Sequence, residues 1–315
     1  MPADAEGRSL RDDVVPMTEE RTLTQTLSFV TAEGGERHPL AQIHPDAQVH
    51  GSVVVGPYTV IGPHVSIGPR TRIGPHVVID GWTEIGADNR ISAGVVIGTE
   101  PQDVRYRGEE SYVRIGDRNV IREYVTINRA YNHMGATVVG NDNLFMAYTH
   151  VAHNCVLGNG IIMTNYSGLA GHVQLEDFVV LGGMAGVHQF VRIGTMAMVG
   201  GAAKVIKDIP PYSIVDGQPA RIYEINTIGL KRRDVDASVR KALRQAFRLL
   251  TRSGLNLGDA LEAVREQVEQ FPEVQHLVEF MAQKSRMGVL IRFAERNGNG
   301  RILRGEPADG AVRPD

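Results

Sequence analysis

The chain has 315 residues, 42% of them apolar and 6% aromatic, with 35 glycines and a formal net charge of −3. That charge argues against a protein built to hold nucleic acid, and no window approaches 18 consecutive apolar residues, so stable membrane insertion is not expected. The single Cys155 excludes an internal disulfide framework and fits a reducing cytoplasm, and the N-terminus lacks a basic-then-apolar signal segment.

In chain order, residues 1–20 are polar and without periodicity, and read as disordered. Within 21–42, Leu23, Leu27 and Phe29 share one face at a period of two, which predicts a strand or hairpin. Residues 1–42 are therefore taken as an N-terminal extension, partly disordered. From Ile43 an aliphatic returns every six residues: Ile43, Val49, Val55, Ile61 and on to Ile97, then Ile115, Ile121 and Ile127. From Val139 the sixes run unbroken to Val205, with Phe145 and Met163 departing from Ile, Val or Leu but still apolar. A helix needs a period near 3.6 and a strand a period of 2, so a strict six fits neither alone. It fits short strands joined by tight turns, three hexapeptides to a triangular coil, the aliphatic pointing inward. The expected fold is mainly β, a left-handed parallel β-helix over 43–220 of some eight coils and about 40 Å. The hand rests on the habit of hexapeptide coils, since the period alone does not prove it.

Two interruptions fall inside the repeat. Asp103 and Glu109 occupy inward places between Ile97 and Ile115, and His133 does so between Ile127 and Val139. Polar groups cannot face the core cheaply, so both stretches are expected to be loops thrown outward. The first, Pro101–Tyr106, carries opposite charges and an aromatic, which suits a ligand. After Tyr212 the period changes: Val239, Leu243, Ala246, Phe247 and Leu250 follow helical spacing, with Arg240, Arg244, Arg248 and Arg252 on another stripe. Two more helices are expected from Asp259 to Glu269 and from Val274 to Ala282, divided at Pro272. Residues 221–295 thus form a C-terminal α-helical domain, and 296–315 a disordered tail.

Between Val139 and Val205, positions can be folded onto one coil by subtracting multiples of 18. His150, His153, His172 and His188 then all project onto residues 150 to 154, on one edge of the prism, and Gln189 falls over His153. Any one of them alone reads as a solvated corner residue; four stacked on one edge read as a site. Such an edge could hold zinc with three imidazoles, or a neutral histidine could serve as general base toward a hydroxyl. Gly168 and Gly171 bracket it, and a glycine turn can aim a backbone N–H at a developing oxyanion. The spacing does not separate these chemistries. Cys155 reads as a small core residue.

The segments around this edge, His150-Val151-Ala152-His153-Asn154-Cys155, Gly168-Leu169-Ala170-Gly171-His172, Gly182–Phe190 and Gly229-Leu230-Lys231-Arg232-Arg233, are together specific. They resemble the acyl-carrier-protein–UDP-N-acetylglucosamine O-acyltransferases that begin lipid A synthesis. Ile115–Asn119, Ile121-Arg122-Glu123 and Gln102-Asp103 agree, and the likeness covers about residues 43–290. The resemblance implies a cytoplasmic homotrimer with sites between neighbouring subunits, UDP-N-acetylglucosamine as acceptor and a 3-hydroxyacyl carrier protein as donor. It implies no metal and no cofactor beyond the phosphopantetheine that the carrier brings. His153 would be the general base and the Gly171 N–H the oxyanion donor. Asp103, Arg105, His150, His172 and His188 would hold sugar and acyl groups. Gln189, Asn226, Arg232 and Arg233 would hold the nucleotide, Arg233 pairing with phosphate. Met198 and Gly201 would end the acyl tunnel, and Gly201, lacking a side chain, implies long donors. The basic stripe from Arg240 to Arg252 is expected to steer the acidic carrier.

Three positions depart from the family's habit: Arg105 stands where Lys is common, Ile228 where an acidic contact to uracil is usual, and Asn154 where Asp often follows the base. With no adjacent carboxylate, a backbone carbonyl is expected to fix the His153 tautomer. The competing readings are a sister acyltransferase acting on an amino-sugar nucleotide, a zinc carbonic anhydrase-like trimer, and a catalytically silent solenoid.

Overall fold

In the computed structural model the described residues are 29–30 and 34–291, so the expectations for Leu23, Leu27, residues 1–20 and the tail from 296 lie outside them. Each hexapeptide contributes a short strand and a turn, as in Val54–Val55, Val60–Ile61 and Arg72–Ile73. Every third strand stacks in parallel register: Ile61 lies against Ile79, and Ile79 against Ile97. Three sheets of twelve, nine and eight strands wall a triangular prism, and the coil is a left-handed parallel β-helix. Pairing resumes after each interruption, Ile97 with Ile127 and Ile127 with Val151. The stretches 98–111 and 128–135 are therefore loops that leave the register intact.

The aliphatics at six-residue spacing fill the prism; Ile61, Ile79, Ile97, Ile121, Ile127 and Leu181 are at most 1% exposed. Burying each such side chain is worth about 1.5–3 kcal/mol. A second inward column sits two residues earlier in each hexapeptide, with Val53, Val77, Val95, Val125 and Cys155 fully buried. Cys155 is thus a core residue, its thiol pushed up to about 12 by burial. Most polar members of this column are paired: Thr59 donates to the Gly74 carbonyl at 2.7 Å, and Asn89, Asn119 and Asn143 form an amide ladder, whereas the Thr149 and Ser167 hydroxyls are buried without a partner among the described residues.

The turns have a conformational cost. From Asp142 to Ala202 every sixth residue, His172 and Phe190 among them, is left-handed, with φ between 55° and 67°. Most are not glycine, and each costs about 1–2 kcal/mol, which the stacked core offsets. Their side chains form ladders along the three corners. Arg118 pairs with Asp142 on the corner between the eight- and twelve-stranded sheets. Tyr124, Tyr148 and Tyr166 stack on the corner between the twelve- and nine-stranded sheets. His172 stacks on Phe190 on the third corner, between the nine- and eight-stranded sheets.

Both ends of the prism differ from the sequence reading. Phe29–Val30 forms an antiparallel hairpin with Glu36–Arg37, and Arg37 pairs in parallel with Val55. The prism therefore begins one repeat before Ile43, with Arg37 in the inward place and its Nη2 donating to the Val49 carbonyl at 2.9 Å. At the other end Ser213–Asp216 and Arg221–Ile225 form a hairpin on the twelve-stranded sheet, so residues 221–225 are strand rather than part of the helical unit. The helices are α1 Thr227–Arg232, α2 Ala237–Arg252, α3 Leu257–Gln267 and α4 Pro272–Ala282. Pro272 separates α3 from α4 as expected, and does so as the first residue of α4, where its missing N–H is not needed. The Asn256 Oδ1 accepts the Asp259 N–H at 3.0 Å and starts α3 two residues earlier than the apolar spacing alone indicates. Leu243, Ala246 and Phe247 of α2 pack with Val264, Leu277 and with Tyr212 and Ile225 of the prism end.

Candidate active site

The histidines sit on the corner between the nine- and eight-stranded sheets. His150 projects outward from strand His150–Val151, and its Nδ1 lies 2.7 Å from the Thr126 Oγ1 one coil below. The turn that follows places His153 at the corner, 7% exposed. His172, one coil on, presents its ring edge-on to His153, the centroids 5.3 Å apart.

The hydrogen-bond network assigns the His153 tautomer. The Asn154 Oδ1 accepts the Tyr131 backbone N–H at 3.1 Å, and His153 Nδ1 lies 3.0 Å from the same atom. A backbone N–H can only donate, so the atom facing it is the amide oxygen. Nδ1 must then carry a proton, so that in the neutral imidazole the lone pair is on Nε2. The Asn154 amide nitrogen in turn donates to Asn132 Oδ1 at 2.6 Å. The orienting group is thus the Asn154 side chain, not a backbone carbonyl as expected.

Gly171, one coil on, lies against this ring. A Cβ there would come within 2.5 Å of His153 Nε2, so glycine is required. The equivalent turn N–H groups on the Arg118–Asp142 corner are occupied: Ala87 donates to Asp117, Asp117 to Asn141 and Asn141 to Asn159, at 2.7, 2.7 and 2.8 Å. Among the described residues no acceptor takes the Gly171 N–H. A proton acceptor therefore stands beside an unused backbone donor.

The first loop brings Asp103 over the same point, its Oδ2 3.5 Å from His153 Nε2. Arg105 grips this carboxylate with Nη2 at 2.6 Å and Nε at 3.0 Å, holding it well below the usual carboxylate range. Arg105 also lies 4.5 Å over the ring of Tyr131, which stands edge-on to both His153 and His172. Two residues that follow strand Thr126–Ile127, at the start of the second loop, anchor the first. The Asn128 Nδ2 donates to the Glu100 carbonyl at 2.8 Å, and Arg129 Nη1 to the Gly98 carbonyl at 2.8 Å. Burial, aided by His153, lowers the His150 pKa; burial, then His153, Arg105 and Arg286 lower that of His172. Both shifts favour neutral imidazoles at pH 7.

The structure thus brings Asp103, Arg105, His150, His153, Gly171 and His172 together, while His188 and Gln189 lie further along the same corner. Above His150 the outward face of the nine-stranded sheet continues as Gly168 and Gly186, a groove floor without side chains. Gly201 borders that face at its opposite edge, whereas Met198 lies on the twelve-stranded sheet. The Arg233 guanidinium stacks 3.5 Å over Phe178, and Asn226 Nδ2 donates to the Met196 carbonyl at 2.9 Å, both on the Arg118–Asp142 corner. The Asn226 Oδ1 also caps α1 through the Gly229 N–H, and Arg232 is exposed at the end of that helix. Within one chain, then, Asn226, Arg232, Arg233 and Met198 do not meet the histidines. Tyr131 and Asn132 were not foreseen. Their signal was the second interruption, which the sequence reading passed over in favour of the first. Among the described residues no group of three or more His, Cys, Asp or Glu could hold a metal ion.

A parallel β-helix of hexapeptide turns with an imidazole set beside a free backbone N–H is the architecture of a transferase of the hexapeptide-repeat class. Residues 64–99 match the family model described as bacterial transferase hexapeptide (six repeats), and residues 208–290 match that described as UDP N-acetylglucosamine O-acyltransferase, domain 2. The acyl-[acyl-carrier-protein]–UDP-N-acetylglucosamine O-acyltransferase of Gloeothece citriformis is 54% identical over 209 residues, 66% of this chain and 75% of its own. The crystal structure of a UDP-N-acetylglucosamine acyltransferase from Bacteroides fragilis matches with a TM-score of 0.79 and 40% identity, covering 81% of this chain and 99% of that one. The Arabidopsis enzyme of the same description matches with a TM-score of 0.71 at 32% identity, covering 80% and 99%. The chain belongs to the acyl-[acyl-carrier-protein]–UDP-N-acetylglucosamine O-acyltransferase family.

Proposed function

We propose that the protein transfers a 3-hydroxyacyl group from acyl carrier protein to the 3-hydroxyl of UDP-N-acetylglucosamine, the first step of lipid A biosynthesis. The observation that carries this reading is His153 Nε2, on the ring whose Nδ1 is held by Asn154, set against the free N–H of Gly171. His153 Nε2 takes the proton of the sugar hydroxyl as its oxygen forms a bond to the thioester carbonyl carbon. The carbonyl oxygen gains the negative charge and accepts the Gly171 N–H. Collapse restores the carbonyl, breaks the carbon–sulfur bond and expels the pantetheine thiolate, which recovers the proton from the imidazolium. Asp103, 3.5 Å from Nε2, stabilises that imidazolium. Neutral His150 and His172 hydrogen-bond the sugar, with His188 and Arg105 at its rim.

The nucleotide-binding set Asn226, Arg232 and Arg233 stands on a different corner from His153, which supports a homotrimer with each site between two subunits. Gln189 lines the nucleotide side of the same cleft. The acyl chain runs over Gly168 and Gly186 toward Met198 of a neighbour and Gly201. No metal or resident cofactor takes part; the pantetheine thiol arrives on the carrier. No helix among the described residues is long and apolar enough to cross a membrane, and the enzyme works in the cytoplasm, where the carrier is.

The test is mass spectrometry of the product from UDP-N-acetylglucosamine and a panel of 3-hydroxyacyl carrier proteins. An alkali-labile ester on the sugar is expected; an alkali-stable amide formed only with an amino-sugar nucleotide would move the protein to the sister activity. His153→Ala should lower turnover about 10²–10⁴-fold with the oligomer intact, and near-normal turnover would remove His153 from the mechanism.

A further inference from the structure

The ladder on the histidine corner does not end at the histidines. His172 stacks on Phe190, centroids 4.7 Å apart and planes 18° from parallel, and the Arg286 guanidinium lies 3.5 Å over the other side of Phe190. Arg286 follows α4, in a segment laced back onto the prism: Asp208 N–H donates to the Gly288 carbonyl at 2.9 Å, and Leu290 N–H to the Asp208 carbonyl at 2.8 Å. Asp208 itself is 1% exposed and paired with Arg192 at 2.8 Å. Leu290 is buried in the prism core and Met287 packs against it. The cation is therefore set on a fixed backbone and a fixed aromatic face.

Stacking on a ring uses the face of a guanidinium and leaves its N–H edges free. Arg105, the other cation near His172, is engaged by Asp103. No carboxylate of the described residues forms an ion pair with Arg286, so its charge is available to a ligand. Two coils separate it from the His153 level, about 10 Å at ~4.8 Å per coil. Arg286 thus stands between the helical domain and the reacting centre, on the open edge of the cleft.

We infer that Arg286, held on Phe190, is a binding residue for a phosphate ester of one of the two substrates, engaging its oxygens with the free edge of the guanidinium. The inference rests on the acyl-transfer reading, in which both substrates carry such a group: a diphosphate on the anomeric carbon of the acceptor, and a phosphodiester at the far end of the donor's pantetheine arm. A planar fork takes two phosphate oxygens at once, which an ammonium cannot do in the same geometry. The proximity of this cation to His172 also contributes to keeping that imidazole neutral.

The test uses the full-length enzyme and its Arg286→Ala and Arg286→Lys variants, each checked for wild-type oligomer mass and thermal unfolding. KM is measured for UDP-N-acetylglucosamine, for the carrier-bound donor, and for an acyl-pantetheine donor without phosphate. Removing the charge-assisted contact should raise one KM about 10–100-fold with kcat little changed, and Lys should restore only part of it. A rise confined to the nucleotide sugar assigns the diphosphate. A rise confined to the carrier-bound donor, absent with the phosphate-free donor, assigns the pantetheine phosphate. Unchanged values for both substrates, in a wild type that transfers acyl groups, overturn the inference alone; a wild type that transfers none overturns the parent reading. Inorganic pyrophosphate binding by calorimetry gives a readout independent of turnover, expected to weaken by a similar factor in Arg286→Ala. Should Arg286→Ala unfold, Phe190→Leu removes the stack and keeps the charge, and must raise the same KM.

Discussion

At the scale of single residues, the site depends on which nitrogen of His153 carries the proton. Asn154 does with a neutral amide what a carboxylate would do with charge: its Oδ1 is fixed by the Tyr131 N–H and so can only accept from Nδ1. An amide orients the imidazole without placing a second charge against its Nδ1 side. Asn154→Gly, which tolerates the left-handed backbone at φ 60°, should reduce kcat about 5–30-fold through the lost hydrogen bond. Asn154→Asp should retain activity but move the acidic limb of the kcat/KM profile to higher pH. Superimposable pH–rate profiles in all three proteins would leave Asn154 as a turn-former only. The histidines were legible beforehand because a period of 18 places residues on a coil by arithmetic. Tyr131 and Asn132 were not, because an inserted loop obeys no period and its path depends on what it packs against.

At the scale of elements, the helical unit is tied to the prism by one titrating contact. Glu176 Oε2 lies 2.8 Å from His276 Nε2 of α4, and also accepts the Thr195 N–H at 2.7 Å. The hydrogen bond to Glu176 raises the His276 pKa, and that bond together with Thr195 lowers the Glu176 pKa against the opposing effect of burial. For His276 the stabilisation is complete below the unfolded histidine value and is lost as pH rises through the raised folded value. For Glu176 it is present above the unfolded carboxylate value and is lost as pH falls through the lowered one. His276→Ala should therefore lower the melting temperature most at mildly acidic pH and progressively less as the medium becomes alkaline. A melting-temperature difference that stays constant from pH 5.5 to 9 would show that the contact is not ionic.

Helix α2 turns Arg244, Arg248 and Arg252 outward, opposite the buried Val239, Leu243 and Phe247, while Arg240 is half-buried and donates to the Val235 carbonyl. If the exposed stripe steers an acidic carrier, the double variant Arg244→Glu, Arg248→Glu should slow association and flatten its salt dependence. Stopped-flow association at several ionic strengths decides this, and an unaltered slope would return the stripe to solvent. Helix spacing alone revealed α2. It placed α3 late and overlooked α1, because a polar N-cap and a six-residue helix leave little apolar period to read.

At the scale of the whole molecule, the proposed function requires more than one chain at each site. His153 and Arg233 occupy different corners of one prism, so on the proposed function a second copy would bring its Arg233 corner to the histidine groove. The groove above His150 is floored by Gly168 and Gly186 and bordered by Gly201, whose only neighbour beyond its own chain segment would be the Gly183 carbonyl at 3.4 Å from an added Cβ. On the proposed function a preference for long acyl chains is expected from that open edge, and Gly201→Met should shift preference to donors several methylenes shorter. At about 0.8 kcal/mol per buried methylene, the change in selectivity spans orders of magnitude. Competition between donors of different length measures it, and an identical profile in both proteins would place the ruler elsewhere.

The six-residue period by itself determined the prism, its three walls and the alignment of four histidines, because a repeat of fixed length in a parallel stack leaves no freedom in register. Tertiary structure alone decided other features: the hairpin that closes the prism, the Asn154–Tyr131 contact and the separation of Arg233 from His153. Each of these depends on where a loop or a chain end comes to rest, which is set by packing and hydrogen bonding between residues far apart in the chain and carries no period to be read.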